Sequence, residues 1–187
     1  MKNHIRNRKA LSNVVSTLII LVVSVLLAGV VTMYTINITS TRTQQEQLKL
    51  TKQALWVNGN STAIAALAVD NVGGRDLVVD KVQVRDVEAD WSTVYFNRLG
   101  SAISTSLNCH NSTHIWTNFL YTSGAVADFA TESYDKPLAS GDSMIIYIED
   151  PDSVSDISVT IGITVFTQRT HSTTLNATSI QPKGLKP

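Results

Sequence analysis

The chain has 187 residues and 20.4 kDa, about one domain plus an accessory segment; it is 43% hydrophobic but only 16% charged, and much of its polarity comes from Ser and Thr. Its formal net charge of zero excludes a broadly basic nucleic-acid binder, so no nucleic-acid partner is expected. One cysteine excludes an intrachain disulfide and a multi-thiolate zinc site, and only 9 Gly and 4 Pro beside many aliphatics argue against a disordered chain.

The zero charge is an average over unlike segments. Residues 1–9 carry Lys2, Arg6, Arg8 and Lys9 and no acid; residues 10–41 carry no charged side chain; all the acids follow. A basic head, an uncharged run and an acidic body form the layout of a membrane-inserted protein with its head in the cytoplasm. From Val14 to Met33 the run is interrupted only by Ser16, Thr17, Ser24, Gly29 and Thr32. That matches the roughly 20 residues a helical span needs. Hydroxyls can bond back to their own helix, so they do not forbid burial in lipid. As a buried core helix, the alternative, the basic flank and the charge gap would be accidental. A conventional secretory signal is shorter and ends in a small-x-small site, which Tyr34-Thr-Ile-Asn-Ile-Thr does not offer. The better cleavage candidate precedes the run, at Arg8-Lys9-Ala10.

Arg8-Lys9-Ala10-Leu11-Ser-Asn-Val-Val-Ser-Thr-Leu-Ile resembles the class III leader of archaeal type IV prepilins and archaellins, a likeness covering residues 6–38. It implies that a prepilin peptidase cuts between Lys9 and Ala10 and that the apolar helix is retained. It also implies a subunit held in the membrane as precursor, then extracted into an extracellular filament for adhesion or motility. The partners implied are copies of the chain in a helical homopolymer, a pilus assembly ATPase and a membrane platform protein. Bacterial pilins usually place Glu where this chain has Val14; archaeal members commonly lack it. A helix apolar on all sides must in any case be surrounded by lipid or by copies of itself. The alternative is a single-span, membrane-anchored surface β domain that binds and does not polymerise.

After Thr39-Ser-Thr-Arg-Thr, a mediocre helix former, Gln44 to Trp56 reads as helix again, with Leu48, Ala54 and Leu55 on one side. A helix and stalk is therefore expected over 10–56, broken by Asn58-Gly59-Asn60. A head follows over 57–180, and 181–187 reads as a loose tail. The head shows period two: Ile157–Thr167 alternates, as do Val82 and Val84, and Ala63–Val69, Trp91–Phe96, Ile115–Tyr121 and Met144–Ile148 are further strands. Asn71-Val-Gly-Gly, Ser140-Gly-Asp and Asp150-Pro-Asp are turns between them. The expected fold class is α+β: a long N-terminal hydrophobic helix followed by an antiparallel, Ig-like β-sandwich head. Val69–Val79 and Leu138–Ile146 resemble strand-turn pieces of archaeal pilin heads.

No catalytic, cofactor-binding or metal site is expected. Cys109-His110-Asn-Ser-Thr-His114 is a poor nucleophile–base pair, because adjacent residues on an extended chain point to opposite sides. Its expected reading is surface histidines and a lone thiol. Asp150-Pro-Asp152-Ser-Val-Ser-Asp156 offers oxygens of the kind Ca²⁺ takes but lacks the loop glycine and terminal Glu of an EF-hand, and reads as a solvated turn. Four Asn-x-Ser/Thr sequons occur; Asn60, Asn111 and Asn176 fall in expected loops outside the membrane and are candidate N-glycosylation sites, while Asn37 lies in the helix.

Overall fold

A computed structural model describes residues 4–43, 45–57, 62–110, 115–132, 134–152, 154, 157–168 and 172–180. The chain divides into two units, one ending at Thr43 and one starting at Gln44. The first is a single helix, α1 (His4–Thr43). Its hydroxyls turn back onto carbonyls of the preceding turn: Thr17 Oγ1 donates to Val14 O, Ser24 Oγ to Ile20 O, Thr32 Oγ1 to Ala28 O and Thr35 Oγ1 to Val31 O. These side chains therefore satisfy their own polarity inside the helix.

The second unit is built of strands β1 (Leu48–Val57), β2 (Ala63–Asn71), β3 (Leu77–Val84), β4 (Val87–Glu88), β5 (Val94–Leu99), β6 (Phe119–Thr122), β7 (Ala125–Ala127), β8 (Lys136–Leu138), β9 (Ser143–Glu149), β10 (Thr160–Thr167) and β11 (Ser172–Ile180). Among the described residues the main sheet runs β4-β3-β10-β11-β1-β2-β9-β5, with β8 also on β3, and β6 and β7 form a separate hairpin. The chain is thus α+β, a long apolar helix followed by β-sheets. The ladders are antiparallel except β1 with β11, which run parallel at Leu55–Ser179 and Trp56–Ile180.

Alternation along β2, β9 and β5 feeds two hydrophobic clusters. Ala63, Ala65, Leu67, Val69, Met144, Ile146, Ile148, Val94 and Phe96 join Val79, Val82, Val84, Ile161, Ile163 and Val165 in the larger. On the opposite side-chain parity, Ala66, Ile145 and Tyr147 join Trp56, Phe119, Tyr121 and Phe129 in the smaller. β2 and β9 bury both faces, which is why they read as continuous apolar runs.

One expectation is corrected. Residues 48–57 are not the end of a helical stalk but a strand of the head, so the helix stops at Thr43 and the head begins some thirteen residues before the expected position 57. The cause is a β-bulge: Lys52 and Gln53 stand opposite the single residue Leu67, and Lys52 takes φ 54. The extra residue reverses the alternation, so Leu48 and Leu50 before the bulge and Leu55 and Val57 after it all join the larger cluster. Other boundaries shift by a few residues. Trp91–Thr93 is a 3-10 turn capped by Asp90, whose Oδ1 accepts from Ser92 N. β10 starts at Thr160, after Ser158 at φ 68, and β6 starts at Phe119, after Asn118 at φ 57.

The expected turn at Asn71-Val-Gly-Gly is a clasp. Asn71 Nδ2 donates to Arg75 O and Leu138 O, and its Oδ1 accepts from Gly73 N. Val72 N and Gly73 N donate to Gln47 O, bringing Gly73 so close that a Cβ would lie 2.6 Å from Gln45 O and Gln47 N. Only glycine fits there without moving backbone.

Candidate functional site

The feature with clearest functional consequence is α1. Leu11–Thr41 is 31 residues long and apolar enough to cross a membrane by length and composition. Large side chains from Leu11 to Ile38 are exposed on every side of the helix. An all-round apolar helix calls for an apolar environment. The Lys9–Ala10 junction lies within α1.

Cys109 and His110 lie in the connection between β5 and β6. Contrary to the expected surface histidine, His110 is 3% exposed. Its ring stacks on Trp116 at 3.7 Å between centroids and 4° between planes, and meets Phe119 edge-on. Trp116 also stacks on Tyr95 at 4.0 Å. The Cys109 thiol donates to His110 O, and burial pushes its pKa up to about 11. A thiol so held is almost entirely protonated near neutral pH, the opposite of what a nucleophile or thiolate ligand requires. Tyr147 lies in the same cluster, its hydroxyl donating to Asn108 O at 2.8 Å, and burial likewise raises its pKa. His114 lies outside the described residues.

The acidic turn serves the sheet. Asp150, at φ 46, donates its N–H to Ala63 O, and its Oδ1 accepts from Ala63 N, so it fastens the start of β2. Asp150 and Asp152 share a shallow cleft with Glu88 and Asp90. The backbone hydrogen bond from Ser92 holds the Asp90 carboxyl below its ordinary pKa. Among the described residues no group of three or more His, Cys, Asp or Glu side chains is arranged to hold a metal ion, and Asp156 lies outside them.

Sequence reading missed Lys136, fully buried in β8. Its Nζ lies 4.7 Å from the Phe96 ring and 4.8 Å from the Trp91 ring, donates to Glu132 O at 2.6 Å and to Tyr134 O, and stands 3.8 Å from the Glu132 carboxylate. Burial lowers its pKa. Its hydrogen bonds and ring contacts are those of a structural cation, and no local sequence signal marks it. Of the candidate glycosylation sites, Asn60 and Asn111 lie outside the described residues. Asn176, expected in a loop, is within β11 opposite Gly162 of β10.

No protein-family model matches the chain, and no curated protein matches it. Among solved structures it is similar to the apo PCuAC domain of PmoF2, at 15% identity and a TM-score of 0.41 over 76% of this chain and all of that one. The copper-bound form of the domain aligns at 15% identity and a TM-score of 0.35 over 74% of this chain. The expectation of a polymerising pilin is corrected: no family model and no curated protein supports it, and these neighbours are PCuAC domains rather than filament subunits. Likeness at this level brings no copper chemistry to the chain.

Proposed function

We propose that this protein is a single-span membrane-anchored surface protein whose head is a β-sandwich displayed outside the cytoplasmic membrane, with binding rather than polymerisation as its task. The observation that carries the reading is the uncharged, 31-residue apolar helix of Leu11–Thr41. Lys2, Arg6, Arg8 and Lys9 before it, with no acid among them, favour a cytoplasmic N-terminus. The sandwich is supported by the larger core cluster, which draws on β1, β2, β9 and β5 as well as β3 and β10.

Fractionation tests it. The full chain is expected in the membrane fraction, resistant to alkaline carbonate and released by detergent, with its head digested by protease added outside intact cells. Val23→Asp, which puts a carboxylate at mid-span at a cost of about 2.5–3.5 kcal/mol, is expected to shift protein out of the carbonate-resistant fraction. A wild-type chain released in soluble form without detergent would overturn the proposal.

A further inference from the structure

The helix is longer than the bilayer it is proposed to cross, and its composition says which part projects. Leu11–Thr41 is 31 residues, about 46 Å at 1.5 Å per residue. Burying all of it in a hydrocarbon layer of about 30 Å needs a tilt of roughly 50°, beyond the range of about 0–40° seen for spanning helices. Val14–Met33 is the segment of matching length, and it holds the densest apolar run. Beyond it the composition changes sharply: Tyr34, Thr35, Asn37, Thr39, Ser40 and Thr41 are polar or amphipathic, relieved only by Ile36 and Ile38. Tyr34 is 67% exposed on the helix, and such a ring favours the boundary between chains and headgroups.

We infer that the membrane register is Val14–Met33, and that the last turns of α1, Tyr34–Thr43, form a lipid-headgroup-contacting collar that stays helical outside the hydrocarbon. This rests on the anchoring proposed above. The collar is about nine residues past Tyr34, or roughly 13 Å, against a headgroup layer of about 5–8 Å on each side. Its end therefore stands in water. Its partner is the polar surface of the outer leaflet, met by an uncharged amide and hydroxyls up to Arg42. Thr35 and Thr41 return their own hydroxyls to Val31 O and Asn37 O, so their polarity is met within the helix in a stretch of poor helix formers. Short helices are marginal in water, so this segment depends on propagation from the turns held in lipid.

Cysteine scanning in the full chain tests the register. In a Cys109→Ala background, Val25→Cys, Val31→Cys, Thr39→Cys and Thr41→Cys are expressed singly and treated in intact membranes with a membrane-impermeant maleimide, before and after detergent. Cysteines at 25 and 31 are expected to react only after detergent, and those at 39 and 41 at least ten-fold faster than them before it. If all four are protected until detergent is added, the span stands and the collar falls. If position 25 reacts freely in intact membranes, the span itself is absent and both proposals fall.

Discussion

Cys109 shows how neighbours decide the chemistry of a residue. A thiol ordinarily ionises near 9, and burial raises this one to about 11. The folded state therefore keeps its proton where the unfolded chain has lost it. Stability from this group is complete below pH 9 and is lost as pH rises from 9 through 11. At pH 9 the folded thiolate fraction is roughly fifty-fold below that of an ordinary thiol. An aromatic disulfide reagent is expected to label the native chain slower by about that factor than the chain in denaturant, with Cys109→Ala flattening the fall of stability between pH 9 and 11. Equal rates in the two states would show the thiol to be open to solvent. The cluster was legible as a Cys-His pair, but its burial was not. It arises from stacking with Trp116, beyond the next few residues, and from packing against strands whose sequence positions are distant.

At the scale of elements, β1 was illegible for a definable reason. Leu48 and Leu55 lie seven apart, a helical spacing, and the strand's own alternation reverses at Lys52. Period-two reading fails wherever a bulge inserts a residue. β2 and β9 carry no bulge against each other and pair in register from Ile64–Glu149 to Asp70–Ser143, so their apolar runs were readable. β11 (Ser-Thr-Thr-Leu-Asn-Ala-Thr-Ser-Ile) offers few apolar residues to alternate and was not read as a strand; it is seated by β10 and β1. The span was readable because a charge-free run needs no tertiary context. The bulge gives a direct test. Left-handed backbone is hardest on β-branched residues. Lys52→Val is expected to destabilise the head by about 1–2 kcal/mol in urea unfolding, while Lys52→Gly, which relieves the backbone but loses the bond from Lys52 Nζ to Ser104 O, should stay within about 0.5 kcal/mol of wild type. Destabilisation by glycine as large as by valine would mean that the lysine contact, not the backbone, governs the site.

For the whole molecule, the question is where the independently folding head begins. The sequence placed that boundary near 57, whereas the structure places it at Gln44. The difference is all of β1 but its last residue, and that strand pairs with β2 at positions from Leu48–Asn71 to Val57–Ala63. It supplies Leu50, Leu55 and Val57 to the larger cluster and Trp56 to the smaller. Removing it would expose the side chains that these residues cover, including Leu67 and Val69, and leave one edge of β2 without its ladder. Burial of each large apolar side chain stabilises by about 1.5–3 kcal/mol, so the three that fragment 57–187 lacks, Leu50, Leu55 and Trp56, are together worth a large part of the 5–15 kcal/mol that holds an ordinary domain together. The fragment 44–187 is therefore expected to be a folded, soluble, monomeric β protein with a cooperative thermal transition. The fragment 57–187 is expected to lack that transition and to aggregate. Circular dichroism melts and sedimentation velocity on the two decide it. A cooperative, monomeric 57–187 would show that β1 is an accessory to the head, and that the shorter boundary was correct after all.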